Sequence, residues 1–344
     1  MSPVYYNEEA FAALAEWIST QHYSKKFILV DENTKKLCLP VLQAKLSDPG
    51  EFKILEIPAG ESHKNIQVST ALWQNLSDQG ADRKSLLINL GGGVVTDIGG
   101  FVAATFRRGI HFINIPTSLL AMVDAAIGGK TGVDLGVLKN QVGVILQPQL
   151  ILVITEFLET LPARQLANGK AEMFKHGLIH DEAYWSEMIR DNGDTDTQIM
   201  RSVEIKNEIV AQDFNEQNLR KILNFGHTLG HAIESHFLAS KDTPLFHGEA
   251  IIAGMILEGY LSHHLTGLEK HQLDEMSAAL NKRYDKIEFT ESDIKAISDL
   301  LKFDKTNTHG HINFVLLKKI GEATIDVIVP GNMIHKAFAY YKES

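Results

Sequence analysis

The fold is decided by residues 85–104, which begin Ser85-Leu-Leu-Ile-Asn-Leu90-Gly91-Gly92-Gly93 and continue as an apolar, helix-compatible run. The run 85–90, before the glycines, is almost wholly apolar, which is typical of a parallel strand that is buried on both faces. The glycines allow a tight turn after the strand, and a helix that starts there presents free N–H groups to a phosphate. The stretch therefore predicts a strand, a glycine turn and a helix N-terminus.

Outward from this stretch, apolar runs and helical spacing alternate along the first half of the chain. Such alternation predicts an α/β domain with a doubly wound, Rossmann-like parallel sheet, in which ligands bind beyond the carboxyl ends of the strands. The further predicted strands are 26–30, 52–57, 110–115 and 147–154, with a helix at 65–78.

The second half has mostly helical spacing, and we place the domain boundary after residue 158. The chain is thus expected to contain an α/β domain at 1–158 that carries the cofactor candidates and a mainly helical domain at 159–344 that carries the metal candidates, with chemistry in the cleft between them. The predicted helices are 163–178, 182–190, 196–213, 224–238, 247–266, 270–281, 291–302 and 333–341, with a hairpin at 311–316 and 323–329.

Composition limits the classes of partner. The 344 residues carry a net charge of −10, which argues against binding to nucleic acid or to an anionic membrane surface. No stretch predicts a signal peptide or a membrane span. The lone cysteine, Cys38, excludes an intramolecular disulfide and fits a small core residue. We therefore expect a cytoplasmic protein that has no nucleic-acid or membrane partner.

One stretch combines residues that suit a metal. His227 and His231 are one helical turn apart, so both imidazoles point to the same side. His247 precedes an apolar helical run, and Glu172 lies upstream with Lys175 one turn after it. A carboxylate with two or three imidazoles suits a divalent metal such as Zn²⁺. Taken singly, each residue fits a helix cap or a solvated side chain equally well.

Two further stretches suit phosphate. Gly91 and Gly93 match the first two positions of a dinucleotide fingerprint, but Thr96 occupies the third. Asp31, after the first strand, can hold a ribose hydroxyl or cap a helix. Gly129-Lys130-Thr131 resembles the end of a phosphate loop, yet the glycine required at position 124 is replaced by aspartate, which excludes a nucleoside triphosphatase. A solvated loop is the alternative for residues 124–140.

Taken together, eight ordered motifs make the chain resemble the 3-dehydroquinate synthase family of sugar-phosphate cyclases. Position 306 departs from the family pattern, since threonine stands where the family usually has lysine, and the segment 168–171 is unusual. The motifs are 91–101 (GGGVVTDIGGF), 105–109 (TFRRG), 116–124 (PTSLLAMVD), 128–132 (GGKTG), 139–140 (KN), 172–175 (EMFK), 224–231 (NFGHTLGH) and 247–249 (HGE).

The resemblance implies a dehydroquinate synthase-like fold and a phosphate-eliminating lyase of the shikimate pathway, which leads to chorismate and the aromatic amino acids. Its reaction converts 3-deoxy-D-arabino-heptulosonate 7-phosphate to 3-dehydroquinate and phosphate. The implied steps are transient oxidation by NAD⁺, β-elimination, re-reduction, ring opening and intramolecular aldol closure. The implied cofactors are NAD and one divalent metal, Zn²⁺ or Co²⁺. The expected partners are a small anionic sugar phosphate and a second copy of the chain, in a homodimer.

The resemblance also implies residue roles. It assigns the metal to Glu172, His227 and His247, and it moves His231 to the substrate side. The phosphate and proton-transfer group would be Arg108, Lys130, Asn140 and His231. The carboxylate and ring hydroxyls would be held by Lys206, Arg220, Asn224 and Lys305, with Asp124 and Lys175 near the reacting carbon. NAD would contact Asp31, Asn33, Glu61, Lys64, Gly92, Gly93, Asp97, Thr117, Ser118, Leu120, Lys139, Thr160 and Asn168.

Other functions remain open at this point. An NAD- and metal-dependent polyol dehydrogenase of the glycerol type needs no cluster of cationic residues for a phosphate and a carboxylate. A related cyclase whose substrate has no carboxylate would lose part of the set formed by Lys206, Arg220, Asn224, His231 and Lys305. A non-catalytic binding module is disfavoured because every catalytic role has a candidate residue.

Overall fold

The computed structural model describes residues 1–46, 48, 52–136, 138–190, 193–240, 245–301 and 312–344. The chain divides into two compact units, Met1–Gly169 and Lys170–Ser344. This division falls inside the helix Ala163–His180, whereas the sequence placed the boundary after residue 158. Because the helix continues without interruption through the division between residues 169 and 170, the change of sequence pattern near residue 158 does not mark that division.

The first unit is built on a six-stranded parallel sheet with the order β1-β8-β5-β4-β2-β3, and a separate antiparallel hairpin is formed by β6 and β7. The apolar strands β2 and β4 are buried at the centre, as their sequence predicts. The strands are β1 Val4–Tyr6, β2 Lys26–Asp31, β3 Phe52–Ile57, β4 Leu86–Gly91, β5 His111–Pro116, β6 Lys130–Leu135, β7 Leu138–Ile145 and β8 Ile151–Val153.

Helices flank this sheet. Asp31 and Asn65 begin α2 and α4, because each side chain accepts a hydrogen bond from a backbone N–H in the first helical turn. Neither β1 nor α1 was predicted, and both precede the first long apolar run. Cys38 is buried between α2 and α3, as predicted for a small core residue. The helices are α1 Asn7–Thr20, α2 Glu32–Leu37, α3 Leu39–Lys45, α4 Ile66–Asp78 and α5 Gly93–Thr105.

The solvated loop considered for residues 124–140 is wrong for most of that stretch. A π-helical turn covers Ala121–Ala125, and β6 then starts at Lys130 and pairs with β7. Thr131 and Val133 are buried, and a Cβ on Gly100 of α5 would lie 2.4 Å from Thr131 Cγ2. The hairpin thus packs closely on α5. Glycine-rich strands carry little β propensity, so the pairing was hidden in the sequence.

A second close contact fixes α5 against the sheet. A Cβ on Gly99 would lie 1.9 Å from Asn89 Oδ1, so the asparagine occupies the space of the missing side chain. Asn89 Nδ2 donates to Asn114 Oδ1 at 2.9 Å on the neighbouring strand, and both asparagines are buried. The sheet therefore contains a polar pair that needs glycine on the overlying helix.

The second unit is mainly helical, and every helix predicted there is present with ends shifted by a few residues. Helix α9 begins at His227 rather than at 224, because a 3-10 helix covers Leu219–Asn224 and Gly226 has φ of +78°. The helices are α6 Ala163–His180, α7 Glu182–Arg190, α8 Thr195–Gln212, α9 His227–Ser240, α10 His247–Leu265, α11 Lys270–Asn281, α12 Glu291–Leu300 and α13 Gly331–Glu343.

Helix α10 is the centre of this unit. Its residues from Ala250 to Gly259 are all buried, and α9, α11, α13 and the strand Asn313–Lys319 (β9) pack around it. Strand β9 pairs with Glu322–Ile328 (β10), which gives the predicted hairpin, although His311 lies outside the described residues. The predicted α/β fold class with a mainly helical second part is therefore confirmed. Among the described residues, no helix meets the length and apolarity that a membrane span requires.

The contact between Gly99 and Asn89 generates a stability prediction. Gly99→Ala should lower the free energy of unfolding by roughly 1–3 kcal/mol, since the added methyl overpacks against the buried amide. The same change should cost much less in an Asn89→Ala background, where the space is vacant. Thermal unfolding of the two single variants and the double variant measures this coupling. Equal costs in both backgrounds would contradict the proposed contact.

Candidate functional site

Three elements of the second unit bring Glu172, His227 and His247 together. Glu172 lies on α6, and the two histidines are the first residues of α9 and α10. Glu172 Oε1 is 3.5 Å from His227 Nε2 and 3.4 Å from His247 Nε2. Two ligand atoms bound tetrahedrally to one metal at about 2.1 Å lie about 3.4 Å apart. The spacing therefore matches a shared cation at the centre of these atoms.

Both histidine rings are held by their other nitrogen. His227 Nδ1 is 3.0 Å from the carbonyl oxygen of Phe225, and His247 Nδ1 is 3.2 Å from Glu234 Oε2. An acceptor at Nδ1 keeps the proton on that nitrogen in the neutral ring, so the lone pair of Nε2 is directed toward Glu172. This orientation is the one that metal-binding histidines use.

The charges at this site also suit a cation. Glu172 is fully buried, and its Oε1 accepts no well-formed hydrogen bond from the described residues. Burial alone would raise the pKa of Glu172, but Lys175 and the two histidines hold it well below its ordinary value. Burial and Lys175 lower the pKa of His227 to about 3. Glu172 therefore stays anionic and His227 stays neutral, as metal ligands must.

Two carboxylates act on the charge of His247. Burial would lower the pKa of His247, but Glu234 and Glu172 raise it to about 9. A divalent cation bound between these side chains would compensate the same carboxylates.

His231 lies beside this group. Its ring centroid is 5.0 Å from that of His227 and 5.7 Å from that of His247. One nitrogen from each of the three histidines lies within 4.8 Å of the others, so the histidines alone form a second possible ligand set. Only the set with Glu172 supplies a negative charge to the cation, and for that reason it fits a divalent metal better.

Three predicted cationic residues of the same unit are buried, namely Lys175, Lys206 and Arg220. Arg220 Nη1 donates to the carbonyl oxygen of Phe214 at 2.7 Å, and Asn224 Nδ2 donates to Glu216 Oε1 at 3.2 Å. Lys175 forms an ion pair with Glu172, and lysine and arginine side chains are the types that bind a phosphate or a carboxylate through charged hydrogen bonds. Lys305 lies outside the described residues.

In the first unit, the glycine turn has the geometry that a phosphate requires. Strand β4 ends at Gly91 and α5 begins at Gly93, with no side chain capping the helix. A Cβ on Gly92 would lie 3.2 Å from Ser118 Oγ, and Thr117 N–H donates to the carbonyl of Gly91 at 3.0 Å. Gly92, Thr117 and Ser118 therefore meet at the carboxyl ends of β4 and β5, where uncapped N–H groups can bind an anion.

A second polar group of the first unit centres on Lys64. Its Nζ is 2.6 Å from Asp97 Oδ2, 2.6 Å from Asn140 Oδ1 and 4.0 Å from Glu61 Oε1. Burial would lower the pKa of Lys64, but Asp97 and Glu61 raise it above its ordinary value. Burial raises the pKa of Asp97. Lys139 is 3.5 Å from Glu61, so five predicted residues are brought together here.

The remaining predicted residues have local roles in the structure. Asp31 Oδ1 accepts the Thr34 N–H at 2.8 Å, which is the capping alternative. Arg108 is exposed with φ of +66°, and Asp124 lies in the π-helical turn near Leu120. The last four predicted residues lie in elements of the first unit or in α6. They are Asn33 in α2, Lys130 at the start of β6, Thr160 at the end of a 3-10 helix and Asn168 in α6.

Sequence reasoning missed several residues that hold the site. Glu234 is two helical turns after His227, so the spacing alone could have identified it as a partner on the same face. Asp134 accepts the Asn140 N–H at 2.7 Å and donates its own N–H to the Lys64 carbonyl at 2.8 Å. No sequence signal links Asp134 to Lys64, because only the packing of the hairpin brings them together.

Comparison with known proteins agrees with this arrangement. The family model for the 3-dehydroquinate synthase N-terminal part matches residues 54–168, and the model for the C-terminal part matches residues 169–307. The 3-dehydroquinate synthase of Parabacteroides distasonis is 43% identical over 342 residues, which cover 96% of this chain and 95% of that protein. The chain belongs to the 3-dehydroquinate synthase family. It is therefore an enzyme of that family, as the resemblance predicted.

Solved structures related to the 3-dehydroquinate synthase family have the same fold. The 2-epi-5-epi-valiolone synthase of Streptomyces hygroscopicus, which contains NAD⁺ and Zn²⁺, is 28% identical with a TM-score of 0.86 and covers 100% of this chain and 97% of that one. A 2-deoxy-scyllo-inosose synthase, complexed with carbaglucose-6-phosphate, NAD⁺ and Co²⁺, is 24% identical with a TM-score of 0.84, covering 98% and 96%. The dehydroquinate synthase-like fold is thus confirmed.

The ion pair between the buried Lys64 and the largely buried Asp97 generates a pH-dependent prediction. Lys64→Met should destabilise the protein by roughly 3–5 kcal/mol at pH 8, because Asp97 is left charged and buried. At pH 5 the cost should be smaller, since the carboxyl whose pKa burial already raises then binds a proton. Thermal unfolding at both pH values measures the difference, with Lys64→Met/Asp97→Asn as the matched control. A cost that grows as the pH falls would contradict this account.

Proposed function

We propose that this chain is a cytoplasmic 3-dehydroquinate synthase, a phosphate-eliminating carbon–oxygen lyase. It converts 3-deoxy-D-arabino-heptulosonate 7-phosphate to 3-dehydroquinate and phosphate in the pathway to chorismate. The observation that carries the proposal is the combination of a carboxylate–histidine group around Glu172 with the buried cations Lys175, Lys206 and Arg220 in one unit. A metal site suits an oxygen-rich sugar, and the cations suit a doubly anionic substrate.

The proposed ligands of one divalent metal, Zn²⁺ or Co²⁺, are Glu172, His227 and His247, because their atoms converge and their Nδ1 partners orient the rings. The proposed NAD⁺ site begins at Gly92 and Gly93, where the uncapped helix N-terminus can approach a pyrophosphate. When bound, the metal supplies a Lewis acid for a substrate oxygen, and NAD⁺ supplies a reversible hydride acceptor for transient oxidation.

The remaining residues are proposed to bind and orient. For NAD⁺ we propose the set given by the resemblance, in which Lys64 and Asp97 form an ion pair. Arg108, Lys130, Asn140 and His231 would hold the substrate phosphate and guide proton transfer. Lys206, Arg220, Asn224 and Lys305 would hold the carboxylate and hydroxyls, and Asp124 and Lys175 would act near the reacting carbon. Since the chain carries −10 overall, these short-range charged hydrogen bonds must provide the attraction.

The reaction distinguishes this proposal from a polyol dehydrogenase. A synthase should release phosphate without net NADH, because the hydride returns to the same carbon. Arg220→Ala should lower kcat/KM roughly tenfold to a hundredfold, since each charged hydrogen bond contributes about 1.5–3 kcal/mol. Phosphate release and absorbance at the NADH band are measured together on the heptulosonate phosphate. NADH that accumulates with product, or an Arg220→Ala enzyme as active as the parent, would overturn the assignment.

The two candidate ligand sets make opposite predictions for His231. His247→Ala should lose both metal and activity, because it removes a ligand. His231→Ala should keep the parent's metal content while losing activity, since His231 is placed on the substrate side. Metal analysis of the dialysed, full-length variants measures both. A His231→Ala protein that has lost its metal would favour the set of three histidines.

We also propose a homodimer that forms through β7. Among the described strands, β7 pairs only with β6, and Val142, Val144, Ile145 and Leu146 are each at least 36% exposed. An apolar edge strand of this kind favours pairing with another strand. Residues 140–154 carry no charge, so two antiparallel copies bring no like charges together.

This edge makes a prediction about assembly. Val144→Lys should shift the protein toward monomer, because each strand would then place a charge opposite its copy. Sedimentation of the parent and the variant at equal concentration measures the change, with Gln141→Lys, at an exposed polar position of the same strand, as a control for added charge. A parent that sediments as a monomer at micromolar concentration would contradict the proposal.

A further inference from the structure

A buried carboxylate holds the turn that carries His227. Glu258 lies on α10, about three helical turns after His247, and its side chain is fully buried. Glu258 Oε2 accepts the backbone N–H of Gly226 at 2.6 Å, and Oε1 accepts that of Leu229 at 3.0 Å. These two residues flank His227 at the start of α9. Both carboxylate oxygens therefore act on the first turn of the ligand-bearing helix.

Helix α9 cannot cap itself in the ordinary way. The first N–H groups of a helix lack partners within the helix, and a side chain just before the helix usually accepts one of them. Gly226 stands in that position with φ of +78°, and glycine has no side chain that could act as a cap. The acceptor therefore comes from the neighbouring helix, and a charged acceptor forms the stronger hydrogen bond.

The two helices are joined at both ends of their contact. A Cβ on Gly254 of α10 would lie 2.0 Å from the Gly226 carbonyl oxygen, and a Cβ on Gly230 would lie 3.2 Å from Ile251 Cα. At the other end, Glu234 of α9 contacts His247 Nδ1 at 3.2 Å. Each helix thus provides a carboxylate to the start of the other, where a proposed metal ligand stands.

We propose that Glu258 is a positioning residue for the metal centre. By fixing the N–H groups on both sides of His227, it sets where His227 Nε2 stands relative to His247 Nε2. Glu258 acts on the backbone N–H groups of Gly226 and Leu229, so this effect passes through the backbone at the start of α9. The inference rests on the metal ligands proposed above, and it extends them by naming the residue that controls their spacing.

The test is a Co²⁺ titration of the full-length, metal-stripped chain, monitored by the visible absorption of Co²⁺ and by competition with a chelator. Glu258→Gln keeps the volume but turns an amide N–H₂ toward one backbone N–H, so the turn should shift. We expect Co²⁺ affinity to fall roughly 10–100-fold, in the range typical when a partner of a metal ligand is changed. The absorption band should shift, while NAD⁺ affinity stays unchanged.

Ser262→Ala is the matched control. Ser262 is buried one turn further along α10, and its Oγ accepts the Leu317 N–H at 2.9 Å. Its loss should lower the thermal midpoint without changing Co²⁺ affinity. Glu258→Asp, which keeps the charge but shortens the side chain, serves as the second variant if Glu258→Gln does not fold, and it should also weaken Co²⁺ binding.

A folded Glu258→Gln or Glu258→Asp protein with the parent's Co²⁺ affinity and spectrum would overturn the inference. A His247→Ala protein measured in the same titration tests the ligand assignment itself. If His247→Ala binds Co²⁺ as tightly as the parent, the ligand set is wrong, whatever the Glu258 variants show. The two failures are therefore distinguishable.

Discussion

The close approach of α9 and α10 is the constraint on which the second unit depends. Gly226, Gly230 and Gly254 let the two backbones meet at distances that any side chain would prevent. Because the backbones are so close, the side chains of Glu234 and Glu258 are long enough to reach the first residues of the opposite helix or the residue before it. The same packing places His227 and His247, the first residues of the two helices, beside Glu172. The candidate metal ligands are therefore brought together by the close packing at the glycines.

The charges around Glu172 determine which kind of ligand these side chains can bind. Glu172 is held anionic in a fully buried position by Lys175 and the histidines around it. An uncompensated buried charge is among the most costly features a protein can contain. A cation-binding role explains why the residues are arranged around a carboxylate, whereas a purely structural role would be met by apolar side chains of similar volume.

The first unit shows the opposite arrangement, in which a buried cation is surrounded by carboxylates. Lys64 reaches Asp97 and Asn140, and its own backbone carbonyl accepts a hydrogen bond from Asp134 on the hairpin. The loop before α4, the helix α5 and the hairpin are thereby tied to one ammonium group. This group pre-organises a polar surface in the same unit as the uncapped N-terminus of α5, so a dinucleotide would meet groups that are already in place.

The sequence by itself determined most of the parallel sheet, most of the helices and the ligand types. Apolar runs such as 86–90, which a glycine turn ends, predict buried strands, and the spacing of His227 and His231 predicts a shared helix face. Spacing along one element also contained the signal for Glu234. The sequence could not determine the pairing of β6 with β7, the division inside α6, or the roles of Asp134 and Glu258. Each of these depends on contacts between residues far apart in the chain, and local periodicity reports only on neighbours along one element. The choice between Glu172 and His231 as the third ligand is of the same kind, because only the packing of α6 against α9 and α10 brings the Glu172 carboxylate within 3.5 Å of the two histidine nitrogens.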